Sequence, residues 1–195
     1  MSIVPAFEIG IWNAWILMVI FYAAAFVPLA IHNEMAEKRM EGEPTGKEQK
    51  KVTKIVTAIT HMVIMPLTLI YSIFLPIQLG TWWFYVGLII YLLGLVMVLL
   101  FSISFGTAAL DEPIITGVFA VSRNPSYFAF FLAYLGTGIA SASWIFLLFS
   151  FVWIISFRFG ILEEERILLE KYGEAYKQYM DRTPRWIGFP KRSRR

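Results

Sequence analysis

The chain has 195 residues, of which 58% are hydrophobic and 16% are charged. Soluble domains carry roughly 45–50% apolar and about 25% charged residues, so this composition indicates a protein whose solvent is the lipid bilayer. The absence of cysteine excludes disulfides, thiolate nucleophiles and Cys-ligated metal centres. With two histidines and a net charge of only +3, we expect neither a bound metal nor a nucleic-acid partner.

Five apolar stretches are predicted to form membrane helices, at residues 9–31, 52–75, 82–104, 127–140 and 143–159. The first three reach the ~20 residues that a helix needs to cross a bilayer. The last two are shorter and only Ser141 and Ala142 separate them, so we expect a tight hairpin that crosses incompletely or with little tilt. No Lys or Arg precedes Lys38, so the first stretch is predicted to be a span rather than a signal peptide.

The distribution of cations predicts the orientation. The segment 33–51 carries five Lys and Arg residues, whereas the turn 76–81 carries none, so the positive-inside rule places the former in the cytoplasm. Alternation of five spans then puts the N-terminus outside, and the tail from Gly160, with nine Lys and Arg, in the cytoplasm. The predicted fold is all-α: one membrane domain over residues 1–195, ending in a cytoplasmic amphipathic helix.

The first candidate site precedes the fourth span, where Asn124 and Pro125 are typical of a helix start. The Asn124 side chain is expected to accept hydrogen bonds from free backbone N–H groups, and Pro125 suits the first helical turn. A helix start beside Arg123 attracts a carboxylate or phosphate. The alternative is that Asn124 and Pro125 only cap the span while Arg123 anchors it to lipid headgroups.

The second candidate site follows the fifth span, where three glutamates stand together at residues 163–165. Arg158 lies one heptad before Glu165, so the two share a face if the helix continues through Gly160. Adjacent acids beside an anionic leaflet need a cationic partner, which a bound cation would provide. The alternative is that the acids pair with cations of a solvated helix, namely Arg158, Arg166 and Lys171.

An amphipathic stretch after Ile167 is predicted to cover the cytoplasmic mouth of the bundle. The helix is expected to break at Gly173 and to resume with Tyr176 and Tyr179 on one side. The segment beyond Arg182 is rich in Arg, Lys and aromatic residues, which is typical of a segment lying at an anionic membrane surface.

Taken together, these sites resemble the integral membrane methyltransferases grouped with isoprenylcysteine carboxyl methyltransferase and phospholipid methyltransferase. The resemblance covers about residues 105–190. Its motifs occur in the family's order: Gly117, Phe119, Arg123-Asn124-Pro125-Ser126-Tyr127, Glu164-Glu165, and Tyr172-Gly173 followed by Tyr176 and Tyr179. Asn124 replaces the histidine of the carboxyl methyltransferase branch, which argues mildly against a prenylcysteine substrate. Arg158 also lies farther from the acids than its counterpart in that branch.

The resemblance implies that S-adenosylmethionine binds at the cytoplasmic end of the hairpin and that a lipophilic acceptor arrives from the bilayer. The cofactor's carboxylate would lie near Arg123 and the Asn124-Pro125 helix start, with Tyr127 packed against the cofactor. Glu164 or Glu165 would meet its amino group or hydroxyls. The implied cofactor-binding residues are Gly117, Phe119, Arg123, Asn124, Pro125, Tyr127, Glu164 and Glu165, and the implied catalytic residues are Glu165 and Arg158.

Two other functions fit the same motifs. Membrane reductases of the sterol type share a similar Arg-His-Pro-x-Tyr hairpin but use NADPH, and a non-enzymatic membrane protein could retain a degenerate site. The acceptor stays open between a phospholipid amine, a prenylated or other lipophilic thiol or carboxylate, and a small hydrophobic thiol, because apolar side chains that face lipid would also line its pocket. The oligomeric state is equally open.

Overall fold

The computed structural model describes residues 8–32, 34, 50–109 and 112–188, and six α-helices and no β-strand occur in these ranges. Most of the predicted loop 33–51 lies outside the described residues. The helices are α1 (Trp15–Ile31), α2 (Lys51–Ile73), α3 (Trp82–Thr107), α4 (Pro125–Ala140), α5 (Trp144–Tyr172) and α6 (Glu174–Arg182). A π-helical turn, Thr60–Ile64, interrupts α2, and a 3-10 turn, Gly117–Ala120, precedes α4. The predicted all-α membrane bundle is confirmed.

Helices α2, α3 and α5 are long and apolar enough to cross a membrane. Helix α5 has 29 residues, about 43 Å at 1.5 Å per residue, so it extends beyond the ~30 Å hydrocarbon layer. The helix therefore continues beyond residue 159, where the predicted fifth span ends. The helix continues through Gly160 because its packed face continues, with Ile161 and Ile167 both buried. Helix α4, with 16 residues, is about 24 Å long and much shorter than its neighbours.

At one end of the bundle, Asn13 joins the segment before α1 to the end of α2. Its Nδ2 donates to the backbone oxygens of Glu8 at 2.6 Å and Ile73 at 2.7 Å, and the backbone N–H of Ala14 donates to Leu75 O at 2.8 Å. These bonds hold the residues before α1 against the end of α2. Helix α1 begins at Trp15, six residues inside the predicted first span, residues 9–31.

Helix α4 is the central element, since none of its residues is exposed. It packs between α3 and α5 at a distance that only glycine permits on the α3 side. A Cβ atom on Gly87 would lie 2.3 Å from the backbone N of Ala140, and one on Gly136 would lie 2.4 Å from the backbone N of Tyr91. Small residues at such close contacts are typical of membrane helices.

A buried hydroxyl chain joins α1, α2 and α4 in the interior. The hydroxyl of Tyr134 lies 2.7 Å from that of Tyr22 and 2.9 Å from that of Thr68. The Tyr134 ring packs against Trp153 of α5, with ring centroids 5.3 Å apart. Because these polar groups bond to one another, the interior satisfies them without water.

The connections between the helices place five helix ends together at the opposite end of the bundle from Asn13. There α1, α3 and α5 end, while α2 and α4 begin. We call this the site end. Because α4 is short and its two neighbours are long, the start of α4 is recessed among the surrounding helices.

The glycine contact between α3 and α4 yields a stability prediction. Gly94→Ala would place a methyl group 2.8 Å from the backbone O of Ala129, so the helices must separate. We expect a loss of about 1–3 kcal/mol, measured as a lower unfolding temperature in detergent. Val96→Ile adds the same single carbon to the side of α3 where Val96 is 55% exposed, and should leave the unfolding temperature unchanged. Equal effects of the two substitutions would contradict the packing assignment.

Candidate cofactor site at the start of helix α4

A cavity of about 260 Å³ lies at the site end, around the first turn of α4. Every described element that reaches this end except α2 contributes to its walls. The lining residues are Leu29, Phe101, Phe105, Pro113, Ile114, Phe119, Arg123, Asn124, Pro125, Ser126, Tyr127, Glu164, Leu168, Tyr172, Tyr176 and Tyr179. Six of the eight cofactor-binding residues predicted from the sequence thus line one cavity, whereas Gly117 and Glu165 do not.

Aromatic side chains form most of the wall that α6 contributes. Tyr176 and Tyr179 lie on one side of α6, both buried, with ring centroids 5.7 Å apart. The predicted helix break at Gly173 and this shared face are confirmed. Burial raises the pKa of both phenols, so they remain neutral at physiological pH. The Tyr179 hydroxyl donates to Phe119 O at 2.7 Å and thereby holds the turn that carries Phe119.

Gly117 acts through the backbone of this turn. Its φ of +62° is one that glycine adopts readily and other residues rarely do, and a Cβ atom would lie 3.0 Å from the Ser104 hydroxyl. The glycine therefore lets the chain turn into the 3-10 segment that places Phe119 at the cavity. It has no side chain to offer a ligand, so its predicted role becomes one of positioning.

Two charged residues of opposite sign line the cavity. Glu164 accepts a hydrogen bond from the Tyr127 hydroxyl, which fixes the carboxylate beside the start of α4. The Arg123 side chain is only 9% exposed, and its Nε is buried without a hydrogen-bond partner among the described residues. A buried guanidinium N–H without a partner is costly, so this group is suited to binding an anion.

Glu165 lies buried behind the cavity wall in a cluster with two arginines, of which Arg123 is 9% exposed and Arg185 is 39% exposed. Its side chain is 5% exposed, and Arg185 donates to both carboxylate oxygens, with the shortest distance 2.7 Å from Nη2 to Oε2. Arg123 Nη2 lies 3.4 Å from Oε1, and Asn124 Nδ2 donates to the same oxygen at 3.2 Å. Glu165 therefore has all its partners within the protein.

The capping role predicted for Asn124 was wrong. Its side chain makes no cap hydrogen bond to α4, although α4 does begin at Pro125 as predicted. The amide Nδ2 instead donates to Glu165 and, at 3.2 Å, to the backbone O of Arg185. The physical reason is the buried Glu165 carboxylate, which attracts the amide N–H₂ of Asn124 and so orients the side chain toward Glu165. Asn124 therefore does not cap α4.

Sequence reasoning missed Arg185. The segment beyond Arg182 was predicted to lie at a membrane surface, but its described part docks on the protein: Arg123 N donates to Pro184 O at 3.0 Å, and Gly188 N donates to Val121 O at 3.1 Å. The buried partner attracts Arg185 inward, and burial of Glu165 could not be read from the sequence. The Glu165 carboxylate raises the pKa of Arg185, as a close ion pair should.

Arg158 does not reach the cavity. It is exposed on α5, whereas Glu165, seven residues later, is buried, so the two lie in different surroundings. Glu163 pairs with Arg166 at 2.8 Å and accepts from Lys50 N at 3.3 Å, which ties the start of α2 to α5. Neither catalytic role predicted from the sequence, for Arg158 or Glu165, has support from this geometry.

A second, more open cleft of about 670 Å³ lies beside the cavity, between α6 and the segment before α4. It shares Pro113, Tyr172 and Tyr179 with the cavity, so these side chains stand between the two spaces. Pro113 thus helps to close the site. Within the described ranges, no group of three or more His, Asp or Glu side chains could hold a metal ion.

This fold and cavity define a class: a helical membrane protein with a cavity of charged and aromatic walls around the start of a short central helix. The model of the phospholipid methyltransferase family matches residues 77–175, just over half of the chain and all of α3, α4 and α5. The chain belongs to the phospholipid methyltransferase family, so the resemblance found in the motifs is confirmed.

A curated relative is the protein-S-isoprenylcysteine O-methyltransferase of Schizosaccharomyces pombe (strain 972 / ATCC 24843). It is 37% identical over 79 residues, which are 40% of this chain and 34% of that protein. The chain therefore matches about a third of the length of this relative.

The buried tyrosines of α6 predict a specific alkaline instability. Their pKa values are raised above the ~10 of an unfolded chain, so above pH 10 the unfolded state loses protons that the folded state keeps. Their contribution to stability is complete below pH 10 and falls as the pH rises further. The unfolding temperature of the wild type should therefore drop more steeply between pH 10 and 11 than that of Tyr176→Phe/Tyr179→Phe. Parallel slopes would contradict burial of the two hydroxyls.

Proposed function

We propose that this protein transfers a methyl group from S-adenosylmethionine to a lipophilic acceptor at the site end of the bundle. The observation that supports this most is that two opposite charges, Arg123 and Glu164, line the same largely aromatic cavity. The amino-acid part of S-adenosylmethionine carries the complementary pair of charges. Membership of the phospholipid methyltransferase family agrees with this chemistry.

The residues present fit the cofactor. The buried Arg123 Nε suits a carboxylate, and so does the positive dipole end of α4 beside it. The carboxylate of Glu164 suits an ammonium group, and a hydrogen bond from the Tyr127 hydroxyl holds the Glu164 side chain in place. The aromatic rings of the wall suit both an adenine and a sulfonium, because a cation is attracted to the face of an aromatic ring.

The cofactor supplies an electrophilic methyl group on a positively charged sulfur. Because this transfer is an in-line displacement that disperses charge, the protein needs to align the reactants and exclude water rather than provide a covalent nucleophile. The walls formed by Phe101, Phe105 and Phe119 would exclude water. Arg123 and Glu164 would fix the orientation of the bound cofactor at its amino-acid end.

The acceptor is proposed to arrive from the bilayer, because Leu29, Phe101 and Phe105 belong to apolar helices that form one side of the cavity. The site end is proposed to face the cytoplasm, with the N-terminus outside. Its exposed cations support this orientation, since Lys171 lies at the end of α5 and Lys177 and Arg182 lie on α6. The whole chain is proposed to act as one membrane domain.

Cofactor binding tests the proposal. Calorimetry on detergent-purified protein should show saturable binding of S-adenosylmethionine and none of NADPH. Arg123→Gln and Glu164→Gln should each weaken binding by about tenfold or more, because each removes one charge that meets the ligand. Glu170→Gln, on the exposed side of the same helix α5, is the matched control and should bind as the wild type does.

Two results would overturn the proposal. Binding of NADPH without S-adenosylmethionine would indicate a membrane reductase, and binding of neither would indicate a non-enzymatic protein. Where S-adenosylmethionine binds, incubation of the membranes with methyl-labelled cofactor should place the label in the organic-solvent extract, and failure to label any lipophilic compound would argue against the acceptor class.

A further inference from the structure

The charged cluster around the buried Glu165 contains one more positive charge than negative. It holds two guanidinium groups, Arg123 and Arg185, and one carboxylate. Arg185 approaches that carboxylate with three hydrogen bonds of 2.7–3.2 Å, whereas Arg123 stands at 3.4 Å. The stronger pair is thus the one between Glu165 and Arg185, and the excess charge lies on Arg123, the member that lines the cavity.

We propose that Arg185 is a positioning residue that neutralises Glu165, so that Arg123 keeps its charge for the carboxylate of the ligand. This inference rests on the proposed function, since it assigns a purpose to the carboxylate-binding part of that site. Arg185 itself does not line the cavity and would not touch the ligand.

The argument for this role begins with what Glu165 would do alone. A carboxylate that is only 5% exposed needs a close cationic partner, because burial of an unpaired charge is costly. Without Arg185, the nearest cation is Arg123, which would pair fully with Glu165. The cavity would then present a neutral ion pair instead of a cation at the start of α4.

A second contact joins Arg185 to the cavity wall that contains Arg123 and Asn124. Its backbone O accepts a hydrogen bond from Asn124 Nδ2, and Asn124 stands between Arg123 and the first residue of α4. The neighbouring Pro184 accepts from Arg123 N at 3.0 Å. The segment that carries Arg185 therefore holds both residues that precede α4, Arg123 by its backbone N–H and Asn124 by its side-chain amide.

Glutamine substitutions separate the charge effect from a merely structural one. The cluster carries a net charge of +1 in the wild type, 0 in Arg185→Gln, +2 in Glu165→Gln, and +1 again in the double variant. If Arg185 acts by neutralising Glu165, the affinity for a carboxylate should rise with the net charge of the cluster. It should be lowest in Arg185→Gln, highest in Glu165→Gln, and similar in the wild type and the double variant. A structural role predicts that the double variant is at least as damaged as either single one.

The experiment compares S-adenosylmethionine with decarboxylated S-adenosylmethionine, which keeps the adenosine, the sulfonium and the amino group. Calorimetry gives the ratio of their dissociation constants for each variant. Arg185→Gln should reduce the preference for the carboxylate by about tenfold, and Glu165→Gln/Arg185→Gln should restore it. Glu165→Gln should bind the carboxylate form at least as selectively as the wild type does.

Each outcome is informative. Equal weakening of both ligands in Arg185→Gln, or no rescue in the double variant, would overturn the inference while leaving the proposed function intact. If Arg185→Gln fails to fold, the preference measured in Glu165→Gln still decides, because a fall below the wild-type ratio would contradict the charge argument. Failure of the wild type to bind either ligand would instead refute the proposed function.

Discussion

The buried carboxylate of Glu165 is the interaction on which the site end depends. It joins three parts of the chain that are distant in sequence: the residues that precede α4, the extended helix α5, and the segment after α6. A buried charge tolerates little displacement of its partners, because each lost hydrogen bond leaves it uncompensated. The cluster therefore fixes the geometry of one cavity wall without contributing its own carboxylate to the cavity.

The close packing of α4 provides the other constraint. Glycines at the contact with α3 allow backbone to approach backbone, and α5 covers the remaining side with aromatic rings. Because α4 has only 16 residues, a central position leaves its start recessed between longer helices. A recessed helix start combines a positive dipole end with apolar walls, and this combination suits a ligand that is charged at one end and apolar along the rest.

Much of this arrangement followed from local pattern. The apolar stretches identify the helices, Pro125 and Gly173 mark a helix start and a helix break, and the motifs from Gly117 to Tyr179 identify the family. The predictions that failed are those in which a distant partner decides: Glu165 takes the Asn124 amide away from the helix start, and the same carboxylate holds Arg185.

The sequence by itself determined the membrane environment, the all-helical class and the family, because hydropathy, proline, glycine and motif order act over a few residues at a time. Only the tertiary structure decided which of the two adjacent glutamates, Glu164 or Glu165, faces the cavity. On a helix, successive side chains point about 100° apart, so Glu164 faces the cavity and Glu165 faces the interior. That difference depends on which elements pack around α5, and it separates a residue that would meet the ligand from one that holds the wall.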